Sequence, residues 1–353
     1  MGSPTISVVT CAFRPGGIDI LLAGMRDQVF KDFEIILVDR RYEHRKDQVA
    51  AMAKDYNLNL IHIPEHRRNG KWIGFASAWN TAIAAARGLA LIFLADWMYA
   101  PPGWIEHHAN AVEGKRRYVV GPYLFLALPE LKLSRPFDFE SIYERWKQHF
   151  HCVETHEAMW GGILDEIDVF KNGRFDASWI PSLAAGTPQT DLRLDYRSES
   201  GTGLGEGWLH IKNDSVYRDV LMKINGLDER LERGRGPLDI DLQLRLGAVN
   251  VELWWDIDAA VYYVDPHVLI PTLPYGSINE RLENRWCWVD GLSYVTRRRA
   301  EIDFGGLPRA KNNYDIEDLA ARMEEWRDNP EARITRDVSD EEYWKKEVWP
   351  DSL

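Results

Sequence analysis

Two short apolar runs decide the fold: ISVVTCA at residues 6–12 and FEIILVD at residues 33–39. Each run is long enough for one buried strand, and the residues between them have helical periodicity. The same alternation continues to about residue 125, with strands predicted at 58–63, 89–95 and 118–122 and helices at 17–28, 46–56, 73–87 and 104–113. This pattern predicts an α/β fold in which helices cover both faces of a mostly parallel sheet.

Beyond residue 125 the periodicity weakens, apart from an amphipathic helix predicted at 141–150. Order returns at 208–211, and helices are predicted at 215–224, 238–246 and 316–327, with a strand at 251–264. The glycine run GTGLGEG at 201–207 follows no predicted strand and lacks the spacing of a phosphate-binding motif. We therefore interpret that run as a loop.

The composition excludes several classes of protein. The 353 residues are 45% apolar and 28% charged, which argues against disorder, collagen and coiled coil. A formal charge of −12 makes nucleic acid an unlikely general partner. The longest apolar run, residues 89–95, is too short to span a bilayer, and residues 1–4 do not resemble a signal peptide. Three scattered cysteines, Cys11, Cys152 and Cys287, fit neither a disulfide framework nor a zinc site, so we expect a cytoplasmic protein.

Two aspartates follow predicted strands. Asp39 ends the second strand and Asp96 follows the fourth. Parallel sheets bind ligands at the carboxyl ends of their strands, so both acids are candidate binding residues. An aspartate in this position is also a common helix cap or turn residue. Two of them in one half-domain favour a binding site.

Several stretches together resemble the family 2 glycosyltransferases with the GT-A fold, which transfer a sugar from a nucleoside diphosphate donor with inversion at the anomeric carbon. The resemblance runs from about residue 6 to residue 267, in the family's order. The matching stretches are ISVVTCAFR at 6–14, DFEIILVD at 32–39, GFASAWN at 74–80, LIFLADWMYAPPGW at 91–104, NDS at 213–215, NGLDE at 225–229 and GPLDIDL at 236–242. The ending PPGW is the most specific match of the first half.

The resemblance implies roles for individual residues. Asp239 is the implied catalytic base, with Asp241 as the alternative, because inverting transfer needs one carboxylate to accept the acceptor's proton. An acid at a helix start also caps the helix, which is the competing interpretation of Asp239. The implied donor-binding residues are Thr10, Ala12, Arg14, Asp39, Lys71, Asn80 and Asp96, with Asp39 receiving the nucleotide base. The expected acceptor-side residues are Trp160, Trp208 and Asn213.

The resemblance also implies a divalent cation, Mn²⁺ or Mg²⁺, held by Asp96 and His267. Ala95 and Trp97 stand where the family's D-x-D motif has acids, so we expect the cation to be weakly bound or dispensable. If it is weak, nearby cations must offset the charge that grows on the leaving diphosphate. The basic residues near the donor half are Arg67, Arg68 and Lys71, which a solvated turn would also explain.

Two other functions remain open at this point. A binding module that recognises a nucleotide sugar or a glycan without turnover is favoured by Ala95 and Trp97, whereas a retained Asp239 argues for an enzyme. A nucleotidyltransferase would need a glycine-rich basic loop after the first strand, and RPGG at 14–17 is a faint version of one.

We divide the chain into a nucleotide-sugar half at 1–125, an acceptor and catalytic half at 126–276, and a C-terminal extension at 277–353. About 75 residues make a small independent core, so we expect the extension to pack on the domain or to form a contact in a homo-oligomer. The run Arg297, Arg298 and Arg299 is interpreted as a solvated charge run, with contact to an anionic membrane surface as the alternative. That alternative would place the protein at the inner membrane face.

Overall fold

The computed structural model describes residues 5–12, 17–39, 42–64, 67–68, 71–72, 75–125, 197, 199–204, 209–231, 237–263, 286–306 and 308–327. The strands in these ranges are β1 Ile6–Ala12, β2 Phe33–Asp39, β3 Leu60–Pro64, β4 Arg67–Arg68, β5 Lys71–Trp72, β6 Ala90–Leu94, β7 Met98–Tyr99, β8 Arg117–Val120, β9 Tyr123–Phe125, β10 Asn213–Tyr217, β11 Glu252–Trp255 and β12 Val261–Tyr263. The helices are α1 Ile18–Asp27, α2 Tyr42–Asp55, α3 Phe75–Ala85, α4 Trp104–Val112, α5 Arg218–Lys223, α6 Pro237–Ala248, α7 Trp286–Asp303 and α8 Ile316–Arg327. Across the described part of the chain, no helix has the length and apolar composition needed to cross a bilayer.

Seven strands form one sheet in the order β11-β8-β10-β6-β1-β2-β3. Strand β10 is antiparallel to both of its neighbours, and the other neighbouring pairs are parallel. Ile6 lies opposite Phe33 and Ala12 opposite Asp39, so β1 and β2 end together at one edge of the sheet. We name this edge, where the parallel strands end, the carboxyl edge. The mostly parallel sheet flanked by helices confirms the α/β fold class predicted for the GT-A type.

The two faces of the sheet carry separate apolar clusters. Val9 of β1 packs into a cluster with α3, α5, α6 and α8. Its neighbour Val8 packs into the other cluster, with α1, α2 and α4. Because successive side chains of a strand point to opposite faces, a strand covered on both sides is apolar at most positions. This is why β1 and β2 appear in the sequence as mostly apolar runs, despite Ser7, Thr10 and Glu34, and were predicted with their correct bounds.

The structure corrects two predictions in the second half of the chain. The helix predicted at 215–224 begins only at Arg218, because residues 213–217 form strand β10 in the middle of the sheet. The single strand predicted at 251–264 is two strands, β11 and β12, joined by a turn. Residues 209–211, where order was expected to return, form no strand.

Strand β10 was missed because it is polar although it is buried. Its first three side chains are at most 1% exposed. Asn213 donates two hydrogen bonds, to the carbonyl oxygens of Pro122 at 2.8 Å and Ala259 at 2.7 Å. The side-chain oxygen of Asn213 accepts a bond of 2.8 Å from the indole of Trp104, and Ser215 pairs with His108 at 2.9 Å. Buried polar groups are tolerated when they are bonded in this way.

The C-terminal helices pack on the sheet domain. Helix α7 lies against α6, and α8 lies against α3. Glu34, which is fully buried in β2, accepts hydrogen bonds from Ser7 Oγ at 2.6 Å and from the backbone N–H of Arg87 at 2.7 Å. Its second oxygen accepts a bond of 2.5 Å from Arg327 at the end of α8. An ion pair therefore joins the second strand to the last described helix.

The predicted domain boundaries, after residue 125 and after residue 276, stay predictions. Residues 126, 276 and 277 lie outside the described ranges.

Two glycines that precede helices have left-handed backbones. Gly17, before α1, has φ of 77°, and Gly103, before α4, has φ of 89°. A Cβ atom on Gly17 would lie 2.4 Å from the fully buried ring of Trp97, whereas a Cβ on Gly103 meets no atom within 4 Å. The two positions therefore share the same backbone constraint and differ in packing.

We expect Gly103→Ala to lower the free energy of unfolding by about 1 kcal/mol, because only the backbone is strained. Gly17→Ala should lower it by roughly 1–3 kcal/mol more, since the buried indole must also move. Urea denaturation of both variants measures the difference. Equal losses would show that Trp97 does not pack against Gly17.

Candidate active site

Three of the predicted acids lie toward the carboxyl edge of the sheet. Asp39 is the last residue of β2, and Asp96 follows β6 by two residues. Helix α6 leads into β11, which begins at the opposite edge, so the first turn of α6 with Asp239 lies toward the carboxyl edge. Open α/β sheets bind their ligands at this edge. The candidate active site is therefore the region around these three residues.

Asp39 is fully buried at the end of β2, in a cluster with Arg45 of α2 and His62 of β3. Its two oxygens accept hydrogen bonds of 2.6 and 2.7 Å from the Arg45 guanidinium. His62 Nε2 lies 2.8 Å from Oδ2 of Asp39. Burial alone would raise the pKa of Asp39, but the charge of Arg45 and the hydrogen bonds from His62 and Arg45 lower it to about 2. Asp39 was predicted from the sequence, but Arg45 and His62 were not, because only the packing of α2 and the pairing of β2 with β3 bring them to it.

Asp96 and Trp97 form the turn between β6 and β7. Asp96 is 2% exposed and is the one acid of the predicted metal-binding stretch at 91–104. Trp97 has φ of 63°, which is unusual for a bulky side chain, and its indole is fully buried against Gly17. Its Nε1 has no hydrogen-bond partner among the described residues. The third position of the family's D-x-D motif therefore holds an apolar wedge instead of a ligand.

We tested whether the described residues fit a divalent cation. Asp96 is the acid of the stretch 91–104 and lies toward the carboxyl edge, and cations of the Mg²⁺ type are commonly held by one or two carboxylates together with substrate phosphates. Asp96 therefore fits a cation that the donor's diphosphate also binds. A second group that brings ligand atoms within 4.8 Å of one another consists of His107 on α4 and Asp256 and Asp258 in the turn after β11. Asp256 accepts the backbone N–H of Asp258, so this group also has an ordinary role in the turn.

Asp239 and the buried Asp214 both lie near Tyr118. Asp239 is half-buried in the first turn of α6, and its charge helps raise the pKa of Tyr118 well above the usual value. Burial is the main cause of that increase, followed by the charge of Asp214. The Tyr118 hydroxyl donates to Asp214 Oδ2 at 3.4 Å, and the backbone N–H of Lys212 donates to the same oxygen at 3.1 Å. The Tyr118 hydroxyl therefore contacts Asp214, while Asp239 is near enough for its charge to act on the same group. Asp214 was not predicted as a site residue, and its place in the motif NDS is the only signal the sequence offered.

Asp241, the alternative base, points into the protein. It is fully buried, Arg245 donates to its Oδ2 at 2.7 Å, and Arg298 Nε lies 3.4 Å from its Oδ1. Burial raises the pKa of Asp241, with Asp228 adding to the increase and Arg245 opposing it. A carboxylate in this position cannot reach an acceptor hydroxyl. Arg298 is 1% exposed, so the interpretation of residues 297–299 as a solvated run is wrong for its central residue.

Two asparagines predicted at the site have structural roles. Asn80, expected to bind the donor, is fully buried and donates to the Leu227 carbonyl at 2.9 Å, while its oxygen accepts the Leu227 N–H at 2.8 Å. It joins α3 to the segment 224–231. Asn213, expected on the acceptor side, is buried in β10, where four hydrogen bonds hold it. Neither side chain is exposed to a ligand.

Among the remaining predicted residues, Thr10 and Ala12 lie in β1 and are at most 2% exposed. The Thr10 hydroxyl has no hydrogen-bond partner in the described ranges. Arg67, Arg68 and Lys71 are described only as backbone of the two-stranded sheet β4-β5. The predicted residues outside the described ranges are Arg14, Trp160, Trp208 and His267.

Residues 7–176 match the model of the family described as glycosyl transferase family 2. The match covers just under half of the chain, from β1 past β9, and includes Asp39 and Asp96. Asp239 lies outside it. The resemblance derived from the sequence is confirmed over the matched residues. A search of curated proteins found no match.

The chain is also similar to solved structures at low identity. A structure of S. aureus TarS 1-349 is 14% identical, covering 90% of this chain and 69% of that one, with a TM-score of 0.48. GalNAc-T7 with UDP, GalNAc and Mn²⁺ is 14% identical, covering 92% of this chain and 56% of that one, with a TM-score of 0.48. The mannosyltransferase PcManGT from Pyrobaculum calidifontis, in complex with GDP-Man and Mn²⁺, is 14% identical, covering 91% of this chain and 74% of that one, with a TM-score of 0.47.

The Asp39 cluster allows a stability prediction. Asp39→Asn leaves the guanidinium of Arg45 buried without its carboxylate, so we expect the free energy of unfolding at pH 7 to fall by roughly 3–5 kcal/mol. Glu252→Gln is the matched control, because it breaks the more exposed pair with Arg117 and should cost about 1 kcal/mol or less. Urea denaturation measures both.

The difference between wild type and Asp39→Asn should depend on pH. The pKa of Asp39 is lower in the folded protein than the usual 3.8, so its carboxylate stabilises the folded state above about pH 4. That contribution is lost as the pH falls from about 4 toward 2, and the two unfolding curves should approach each other over this range. A difference that stays constant down to pH 2 would contradict the ion pair.

Proposed function

Because residues 7–176 match the model of glycosyl transferase family 2, we propose that the protein is an inverting glycosyltransferase that moves a sugar from a nucleoside diphosphate sugar to an acceptor hydroxyl. One observation carries the proposal: of the two acids in the matching stretch of α6, Asp239 is half-buried near the carboxyl edge, while Asp241 is enclosed in ion pairs. The first can meet a substrate and the second cannot.

Asp239 acts as the general base. Its carboxylate accepts the proton of the acceptor hydroxyl while the hydroxyl oxygen attacks the anomeric carbon from the face opposite the diphosphate. The bond from that carbon to the diphosphate oxygen breaks, and the nucleoside diphosphate leaves with the electron pair. The first turn of a helix favours an anion, so this position suits a carboxylate.

The donor binds across the ends of β1, β2 and β6. On the nucleoside side, Asp39, Arg45 and His62 bind one another at the end of β2, and the nucleotide base lies beside this cluster rather than on the oxygens of Asp39. On the diphosphate side, Asp96 would hold a divalent cation, Mn²⁺ or Mg²⁺, when the donor is bound. The cation, when bound, offsets the negative charge that develops on the leaving diphosphate. The acceptor, the sugar and a cytoplasmic location stay open in this proposal.

A second candidate is a glycosyltransferase-like module that binds a nucleotide sugar or a glycan without turnover. The buried Trp97 in the metal-binding turn favours it, because this residue replaces a potential ligand. The two candidates differ in one measurement, the release of nucleoside diphosphate from a panel of UDP- and GDP-sugars. No release from any donor, despite measurable donor binding, would favour the binding module.

The base assignment predicts the effect of Asp239→Asn. We expect turnover to fall by roughly 10²- to 10⁴-fold with donor affinity nearly unchanged, because a base acts in the transition state. The control is Asp219→Asn, which removes an exposed acid from the first turn of α5 and reports the effect of losing a helix-end charge alone. Turnover and melting temperature are measured on the same preparations. Normal turnover with a lower melting temperature in Asp239→Asn would show that Asp239 only caps α6.

The cation assignment predicts that metal binding depends on the nucleotide. In calorimetric titration, Mn²⁺ should bind weakly to the protein alone and more tightly in the presence of UDP or GDP, because a single carboxylate makes an incomplete site. Asp96→Ala should abolish the nucleotide-dependent part. Asp256→Asn is the control, since it can remove only binding by the group of His107, Asp256 and Asp258. Nucleotide-dependent binding that survives Asp96→Ala would contradict the assignment.

A further inference from the structure

Five charged side chains form a buried cluster between α6, α7 and the segment 224–231. They are Asp228, Arg230, Asp241, Arg245 and Arg298, each at most 8% exposed. Arg230 binds Asp228 through two hydrogen bonds of 3.0 and 2.8 Å. Arg245 binds Asp241 and also donates to the carbonyl oxygens of Ile224 and Gly226 at 3.2 and 2.7 Å. We call these five residues the charge cluster.

Arg298 is the member of the charge cluster that connects its two acids. Its Nη2 donates to Asp228 Oδ2 at 2.6 Å, and its Nε lies 3.4 Å from Asp241 Oδ1. Its third nitrogen, Nη1, donates to the Arg309 carbonyl at 3.1 Å and lies 3.6 Å from Glu301. Nη2 and Nη1 make hydrogen bonds, to the segment 224–231 and within the C-terminal part of the chain, while the contact from Nε to Asp241 on α6 is an ion pair without a hydrogen bond.

Desolvating a guanidinium is costly, and simple packing of α7 on α6 would not require it. The two acids it joins also repel each other, since the charge of Asp228 contributes to the raised pKa of Asp241. The positive charge of Arg298, close to both carboxylates, offsets this repulsion. Without Arg298, Oδ1 of Asp241 would lose this ion pair, and the inner side of α6 would lose a charged link to α7.

The link acts close to Asp239. Asp239 and Asp241 are two residues apart, which separates them by about 3 Å along the helix axis and by about 200° around it. Holding Asp241 on the inner side of the first two turns therefore sets the position of Asp239 on the outer side. Arg245, one turn further along, anchors the same side of α6 to the segment 224–231.

We propose that Arg298 is a positioning residue for the transfer reaction: from the C-terminal helix α7, it fixes the start of α6 and with it the place of Asp239. The expected effect on turnover rests on the proposed function, whereas the link between α7 and α6 is independent of it. The C-terminal extension then contributes to the active site without contacting a substrate.

The test uses the full chain with two substitutions and their matched controls. Arg298→Met removes the charge, and Arg298→Lys keeps the charge but cannot bridge Asp228 and Asp241. Arg297→Met and Arg297→Lys change the exposed neighbour on the same helix in the same way. We expect Arg298→Met to lower kcat by about 10²-fold with the donor KM nearly unchanged, since small displacements of a reacting group have costs of this size. Arg298→Lys should recover part of the loss, and both controls should behave as wild type.

A second measurement does not require activity. Hydrogen exchange of the backbone amides at 238–246 should be faster in Arg298→Met than in Arg297→Met, because the inner side of α6 loses its anchor. If Arg298→Met does not fold, Arg298→Lys is compared with Arg297→Lys instead. The same two quantities, kcat and hydrogen exchange at 238–246, then test the proposal.

The outcomes separate this proposal from the proposed function. If wild type releases no nucleoside diphosphate from any donor, the proposed function fails, and hydrogen exchange alone tests the link. Exchange at 238–246 that is equal in the Arg298 variants and their controls would overturn the proposal. A folded Arg298 variant whose kcat equals that of wild type would also overturn the proposal, even if its melting temperature is lower. Faster exchange together with a lower kcat and an unchanged KM supports it.

Discussion

The structure depends on the complete hydrogen bonding of a polar strand in the centre of the sheet. Strand β10 separates the parallel strands β3-β2-β1-β6 from the pair β8-β11, and it is antiparallel to both of its neighbours. Its Asn213 contacts α4, the residue before β9 and the turn before β12 through side-chain bonds alone. Because an unbonded amide in this position would be costly, these bonds specify how the two parts of the sheet meet. That junction in turn sets the place of Asp214 and Tyr118 beside the start of α6.

The charge cluster has a comparable role on one face of the sheet. It brings together acids and arginines from three separate parts of the chain. Burial of each charged side chain is tolerated only because a side chain of opposite charge pairs with it. An arrangement of this kind specifies one packing of α6 and α7, since a shifted helix would leave a charge unpaired. In the proposed enzyme, the charge cluster therefore both stabilises the packing of α6 and sets the position of the base, Asp239.

The sequence was informative where a single physical requirement dominates. The bounds of β1, β2 and α8 were predicted correctly, because strands covered on both faces are mostly apolar and because one stripe of α8 is apolar. It failed where burial depends on partners from elsewhere in the chain. The residues of β10 appear helical or loop-like, Arg298 appears solvated within three arginines, and nothing local distinguishes Asp239 from Asp241. In each case, the deciding contacts come from residues that are tens or hundreds of positions away.

The ion pair between Glu34 and Arg327 has a consequence for synthesis on the ribosome. Glu34 lies in the second strand, but the guanidinium that neutralises its second oxygen is 293 residues further along the chain. While the chain is being made, β2 can pair with β1 long before that arginine has been translated, and the carboxylate then has only the hydroxyl of Ser7 and one backbone N–H as partners. Until Arg327 has been made and α8 has packed, Glu34 lacks this third partner. The contact that completes the binding of Glu34 thus forms only after the C-terminal helices are made, although β1 and β2 precede them by hundreds of residues.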